Sequence, residues 1–388
     1  MSDAARLHVF VLIDALGWPV VEATGFLSDV LPARKPVRTV LGYSSGAIPT
    51  LLTGRPPAEH GHWNLFYYDP EGSPFRWLRW FGWVPDAVLN RRVTRRLLKE
   101  LGRRVFGLGP LFECCVEPRL LPWFNWTEKA NIYAPGGIGG APSIFDSLVE
   151  AGIPYRAYTY HRWSDAEILR RACEDIQQSD ARFFFLYLSE VDAFLHKHCD
   201  EPARIAPELS RYEAALRRVF EAARRRDPEA GFTVISDHGM TPVRQHCDLA
   251  AGLSDLGLRM PDDYLAVYDS TLARFWFFTD VARRRIVERL LDTRGGRLLS
   301  RRELEDLGLG FSDRRYGDVV FLLDPGGLVA SSGFNGDGWK PAGMHGYHPD
   351  DRYSDAVLLS DHEPPVPVRS IADFHRYMTH VTGLEVAV

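Results

Sequence analysis

The chain has 388 residues, of which 45% are hydrophobic and 25% charged, enough to bury a sizeable core and to exclude a disordered, collagenous or small disulfide-stapled protein. Against 46 Lys and Arg stand 51 Asp and Glu, a net charge of −5, so the chain as a whole offers no basic field for a nucleic acid polymer. Its five cysteines, Cys114, Cys115, Cys173, Cys199 and Cys247, lack paired or CxxC spacing, which predicts a reducing, cytoplasmic setting.

In chain order, Leu7–Ile13 is an apolar run that ends at Asp14. It is too short to span a membrane and lacks the h-region and cleavage site of a signal peptide, so it predicts a buried strand. Ser44 and Ser45 open a segment that runs through Thr53-Gly-Arg to His60-Gly. Residues 65–134 then break the pattern. They hold Trp77, Trp80, Trp83, Trp123 and Trp126, half of the ten tryptophans, and an arginine-dense run from Arg91 to Arg104. We read this stretch as an inserted cap or interaction subdomain within a single catalytic domain spanning 1–388. Leu89, Val93, Leu97, Leu101 and Val105 recur every four residues, which on one helix makes an apolar stripe flanked by arginines.

Beyond it, Ser143–Ala151, Asp165–Gln177, Pro207–Arg225 and Val281–Leu291 read as amphipathic helices, with Pro207 in a first turn, where its missing N–H costs nothing. Arg182–Leu188, Phe232–Ser236 and Val319–Leu323 read as buried strands. Such alternation predicts an α/β fold with a mostly parallel sheet covered on both faces. Asp14, Asp192 and Asp237 each follow a predicted strand, and ligands of open α/β sheets bind beyond the carboxyl ends of strands. No repeat of 20–50 residues is visible.

Singly, these polar residues are ordinary: an Asp after a strand is commonly a cap, and Asp192 with His196 is an i, i+4 helix pair. Together with His238 and with His345 in Gly343-Met-His-Gly-Tyr-His348, they supply six nitrogen and carboxylate donors, enough for two divalent ions. A nearby serine hydroxyl offers a nucleophile that such an ion activates.

The ordered set Leu51-Leu-Thr-Gly-Arg-Pro-Pro-Ala-Glu-His60-Gly, Ser236-Asp-His-Gly-Met240, Tyr316-Gly-Asp and Gly343-Met-His-Gly-Tyr347 resembles the alkaline phosphatase superfamily, and within it the nucleotide pyrophosphatase/phosphodiesterase branch. The resemblance covers about Val9 to Leu359, apart from the tryptophan-rich insertion. It implies an alkaline-phosphatase-like three-layer α/β/α sandwich. It also implies a hydrolase that cleaves a phosphodiester or pyrophosphate bond in a small phosphorylated metabolite, nucleotide or lipid headgroup. The nucleophile lies nine residues before the Thr of Thr53-Gly54, which selects Ser44 over Ser45.

By the same resemblance Asp192, His196 and His345 hold one of two divalent metal ions. Asp14, Asp237, His238 and the Ser44 hydroxyl hold the other; Zn²⁺ is the first expectation and Mn²⁺ the second. Asn64 and the backbone N–H of Ser45, at a predicted helix start, are the expected phosphate donors. Tyr67, with Trp63, Phe66 and Tyr68, is a candidate platform for the substrate, and His348 stands where the branch often has Asp. Gly46 and Ile48 occupy positions where sulfatases require Pro or Ala and Arg, which argues against a sulfatase. The branch usually has Thr where this chain has Ser44, so a phosphomonoesterase stays open as an alternative, as does a non-catalytic membrane-associated protein keeping only the fold. For residues 75–105 the alternatives are a solvated cap, a peripheral membrane contact at the inner face, and a homo-oligomer interface.

Overall fold

Odd- and even-numbered residues of the first strand, His8–Ile13, enter different cores. Val9, Val11 and Ile13 pack with Ile168, Leu216 and Val219, whereas Phe10 and Leu12 pack with Leu51, Phe145 and Phe374. A strand covered on both faces has no solvent side for polar residues, which is why it reads as an unbroken apolar run. Truncating a side chain such as Phe10, which is fully buried, should cost about 3–5 kcal/mol.

The computed structural model describes residues 6–108, 117–330, 332 and 340–384; Cys114 and Cys115 lie outside the described residues. Six strands form the main sheet in the order Ala33–Val37, Ala356–Ser360, Gly231–Ile235, His8–Ile13, Phe183–Leu188, Tyr155–Tyr158. All neighbours are parallel except where Ala356–Ser360 runs against its two partners. One face is covered by the helices Trp18–Thr24, Asp165–Gln178 and Pro202–Arg226, the other by Ser44–Thr53, Ile144–Glu150 and Asp373–Val381. This is the three-layer α/β/α sandwich expected. Caps set several helix starts: the Ser143 side chain accepts from the Asp146 N–H while the Asp146 carboxylate accepts from the Ser143 N–H, a reciprocal capping box.

Three expectations about elements need correcting. Val319–Leu323 is a buried strand, but it belongs to a separate four-stranded antiparallel sheet with Tyr264–Tyr268, Leu272–Phe277 and Gly296–Leu298. Pro207 lies inside its helix, which starts earlier, with Pro202 in the first turn. The carbonyl of Ala203 thereby lacks its i+4 donor, a loss tolerated at the surface because both residues are exposed. The predicted stripe from Leu89 to Val105 does not lie on one helix, and of its residues on Arg92–Val105 only Leu101 packs against the core. Leu89 belongs to a separate turn, Asp86–Leu89, and the helix Arg92–Val105 packs through Leu98 and Gly102. Val93, Leu97 and Val105 are exposed.

Within 65–134 the strands Phe66–Tyr68 and Phe124–Trp126 pair antiparallel. Phe66, Phe75, Leu98 and Phe124 share a core with Leu265, Val267 and Trp276 of the four-stranded sheet. Among the described residues no helix is long and apolar enough to cross a membrane.

Candidate active site

The carboxyl ends of three adjacent central strands deliver the acidic residues to one place. Asp14 follows His8–Ile13 and is held by its N–H donating to the Leu188 carbonyl at 2.9 Å. Asp237 lies just past Gly231–Ile235, its Oδ1 accepting the His238 N–H at 3.0 Å and the Ala15 N–H at 3.4 Å. Asp192 and His196 occupy one face of the helix Glu190–His198, which follows Phe183–Leu188. Asp165 fixes the start of that helix by accepting the Ser189 and Glu190 N–H groups, both at 3.0 Å, and the Tyr212 hydroxyl at 2.7 Å.

Two groups result. The donor atoms of Asp14, Asp237 and His238 lie within 4.8 Å of one another, and so do those of Asp192, His196 and His345. The His238 and His345 rings stack across the gap with centroids 3.9 Å apart, so the groups adjoin. His196 Nδ1 donates to the Gly343 carbonyl at 2.8 Å and His238 Nδ1 to the Gly239 carbonyl at 3.0 Å. Each Nε2 is thereby left with its lone pair toward the carboxylates, the tautomer a metal ligand needs.

Ser44 begins the helix Ser44–Thr53. Its Oγ stands 2.9 Å from His238 Nε2 and 3.5 Å from Asp14 Oδ1. The Tyr43 carbonyl takes the Gly46 and Ala47 N–H groups, so those of Ser44 and Ser45 start the helix without intrahelical acceptors, as suits an anion. Gly46 is required by packing: a Cβ there would meet the Trp63 carbonyl oxygen at 2.9 Å.

The electrostatics call for positive charge. Burial pushes Asp14 well above the usual carboxylate range, and the charges of Asp237 and Asp192 push the same way. Burial also holds His345 well below the ordinary imidazole value, with His238 adding to it. At Asp192 burial acts upward, but the imidazoles of His196, His345 and His238 outweigh it and keep that carboxyl low. Asp192 Oδ1 and Asp237 Oδ2 are buried without hydrogen-bond partners, an arrangement that normally costs several kcal/mol per charged group. A divalent cation in each group would satisfy both atoms, and the mixed imidazole–carboxylate donors fit one.

These residues open on a cavity of about 280 Å³ lined by Leu65, Tyr160, Tyr187, Asp269 and Met344, besides Ser44, Ser45 and Asn64. Asn64 Oδ1 accepts the Leu65 N–H at 2.7 Å, while its Nδ2 is buried with no hydrogen-bond partner. A larger cleft, about 470 Å³ between Asp165–Gln178 and Pro202–Arg226, touches neither ligand group, so size alone does not select the site.

Two predicted substrate residues lie elsewhere. Tyr67 packs in the core of Trp63 and Tyr316, its ring covered by the Arg315 guanidinium 5.7 Å from the centroid. His348 pairs with Asp350 at 3.3 Å and Glu303 at 3.7 Å. Trp63 and Phe66 are likewise buried core residues. Sequence reasoning missed Tyr187, whose hydroxyl donates to Asp14 Oδ2; inside the apolar run Phe183–Leu188 it reads as one more core aromatic. It also missed Asp269, which directly follows the strand Tyr264–Tyr268; that strand belongs to the antiparallel sheet, where the strand-end rule that picked out Asp14 gives no signal. Buried Arg274 reaches Asp269 through Nε at 2.8 Å.

Solved structures share this arrangement of the chain. Human ectonucleotide pyrophosphatase/phosphodiesterase 5 is similar over 99% of this chain and 96% of its own, with 14% identity and a TM-score of 0.69. The murine form of that protein, as an inactive variant in complex with AMP, covers the same shares at 16% identity and a TM-score of 0.69. Phosphonoacetate hydrolase from Sinorhizobium meliloti 1021, in complex with phosphonoacetate, is similar over 97% of this chain and 96% of its own, with 13% identity and a TM-score of 0.65. No curated protein matches the sequence. The family described as type I phosphodiesterase / nucleotide pyrophosphatase matches residues 43–348, a span that holds Ser44 and every candidate ligand except Asp14. The chain belongs to that family of hydrolases.

Proposed function

We propose that the chain hydrolyses a phosphodiester or pyrophosphate bond in a small phosphorylated metabolite or nucleotide, through a covalent intermediate on Ser44. The carrying observation is the Ser44 hydroxyl at a helix N-terminus, 2.9 Å from His238 Nε2 and 3.5 Å from Asp14 Oδ1, where the two ligand groups adjoin. Asp14, Asp237 and His238 would hold one divalent ion and Asp192, His196 and His345 the other, with zinc favoured by the donor set and manganese next. Bound there, the ions lower the pKa of a coordinated hydroxyl and neutralise charge on phosphoryl oxygens.

The protein's own groups do the rest. Ser44 Oγ forms a bond to phosphorus as the bond to the leaving oxygen breaks, and water then cleaves the Oγ–P bond to restore the serine. Asn64 Nδ2 and the Ser45 N–H supply donors for the non-bridging oxygens, whose charge grows in the transition state. The Tyr187 hydroxyl fixes Asp14, and the Gly343 and Gly239 carbonyls fix the imidazoles.

Cavity chemistry favours a diester over a monoester. A monoester brings a second negative charge to phosphorus, yet among the described residues no Lys or Arg lines this cavity, and the guanidinium of Arg274 is already paired with Asp269. The murine neighbour's complex with AMP supports a nucleotide as part of the substrate. The phosphonoacetate hydrolase neighbour is a reminder that this fold carries more than one chemistry. Hydrolysis of bis-p-nitrophenyl phosphate and p-nitrophenyl phosphate, each with added Zn²⁺ or Mn²⁺, tests the reading. Metal-dependent turnover with the diester preferred is expected. A large excess on the monoester overturns the preference, and no turnover of either by metal-loaded protein favours the non-catalytic alternative.

A further inference from the structure

Seen from outside, residues 75–105 combine two features that globular surfaces normally keep apart. The first is exposed apolar bulk. Trp80 is 83% and Trp83 80% exposed, Val93 69% and Leu97 65%; outside 80–105 the exposed large hydrophobics are Val149, Met260, Val281 and Leu291 alone among the described residues. The second is cationic charge. Arg91, Arg92, Arg96, Arg103 and Arg104 are all exposed, whereas the acidic residues between 75 and 105 are Asp86 and Glu100. Glu100 is engaged by Arg103 at 3.0 Å and Arg104 at 2.9 Å. In a chain whose net charge is −5, this is a local reversal of sign.

Position on the helix joins the two. Leu98 and Gly102 face the core, so at 100° per residue Val93, Leu97 and Arg96 project to the opposite side. Exposed arginines and aliphatic side chains on one helix, with exposed tryptophans in the segment just before it, have the composition of a segment that lies in a bilayer interface: rings and methyls enter the acyl boundary while guanidinium groups meet anionic headgroups. We infer that residues 76–105 form a docking surface for an anionic lipid membrane.

The charge pattern separates this occupant from a second copy of the chain. A two-fold contact sets the same patch against itself, which would bring Arg92 and Arg96 of each copy together with few carboxylates to offset them. An anionic bilayer complements the same charges. The surface is also joined to the site. The strands Phe66–Tyr68 and Phe124–Trp126 form the root of this segment, Leu65 lines the catalytic cavity, and the Thr127 hydroxyl donates to the Asn64 carbonyl. Docking would therefore hold the root of the cavity close to the bilayer.

The test is co-sedimentation of the full chain with vesicles of phosphatidylcholine alone and of phosphatidylcholine with phosphatidylglycerol, at low and high salt. Binding to the anionic vesicles that salt releases is expected. Trp80→Ser with Trp83→Ser, and separately Arg91→Gln, Arg92→Gln and Arg96→Gln together, should each weaken that binding about tenfold or more. Both variants should keep the wild-type melting temperature and turnover of a soluble diester, since none of these residues touches the cavity. No binding at low salt, equal and salt-insensitive binding to neutral vesicles, or binding unchanged in both variants each overturns the inference. A concentration-dependent dimer lost in the tryptophan variant, without vesicle binding, overturns it in favour of a second copy.

Discussion

Asp14, Asp237 and His238 lie at the ends of two neighbouring central strands and are buried, whereas Asp192 and His196 ride on a helix and keep part of their side chains in solvent, 23% and 13% respectively. The first group is locked on every side: Ala15 and His238 N–H groups on Asp237, the Tyr187 hydroxyl on Asp14, the Gly239 carbonyl on His238. The second depends on Asp165 to seat its helix and on Gly343 to turn His196. A donor set anchored by strands and buried is preorganised and hard for water to re-enter; one on a short helix at the cavity wall exchanges its occupant more readily. The contrast predicts one slowly exchanging and one rapidly exchanging ion.

Ser44→Ala gives the largest effect, because it removes the nucleophile while leaving every carboxylate and imidazole donor in the chain. Turnover should fall on the order of 10⁴-fold or more, with metal content near wild type by elemental analysis; loss of both ions instead would break the separation between chemistry and ligation. Ser45→Ala, by contrast, keeps the backbone donor and should stay active.

The comparison itself is tested by a chelator. Wild-type protein should release its ions in two phases. Asp192→Asn should abolish the fast phase and Asp237→Asn the slow one, each with affinity at its own group lowered by about 100-fold or more, beyond the usual effect of an outer partner. A single phase, or the opposite assignment, contradicts the reading of the two environments. Tyr187→Phe sharpens it. Losing the hydroxyl that holds Asp14 should weaken the slowly released ion by about tenfold and leave the fast phase unchanged.

The smallest effect concerns stability away from both ions. Burial, followed by the neighbouring His62, holds His60 down from 6.5 to about 3. It stays neutral in the fold but takes up a proton in the unfolded chain once the pH drops below 6.5. Stability is therefore complete above that value and declines as pH falls toward 3, with a slope from this group of at most about 1.4 kcal/mol per pH unit. His8, buried in the first strand and likewise held at about 3 by burial, adds to the decline. His60→Gln, which keeps a partner for the Thr50 hydroxyl, 3.0 Å from His60 Nε2 in the wild type, should flatten the pH dependence of the melting temperature; an unchanged slope would remove His60 from the account.

Much of this was readable before the structure, for physical reasons that also explain what was not. Asp14 and Asp237 were legible because a polar residue at the end of a run buried on both faces has few roles open to it. His345, more than a hundred residues from Asp237, was placed only by resemblance to a family, since nothing in its own spacing says which strand end it faces. Tyr67 and His348 fall outside the lining of the cavity because closeness along the chain to a site segment says nothing about which way the next strand or loop turns. Tyr67 turns into the core around Trp63, and His348 toward Glu303. The stripe from Leu89 to Val105 is broken because Leu89 belongs to a separate turn, and periodicity identifies a face but not whether the fold covers it. The arginines around that face fit exposure as well as burial of the stripe beneath them.

Anomalous diffraction from metal-loaded crystals shows whether both donor groups hold an ion. Two peaks are expected in each molecule, one bounded by Asp14, Asp237 and His238 and the other by Asp192, His196 and His345, with Ser44 Oγ beside the first. A single peak, or two peaks that leave either triad without an ion, would contradict the two-ion site.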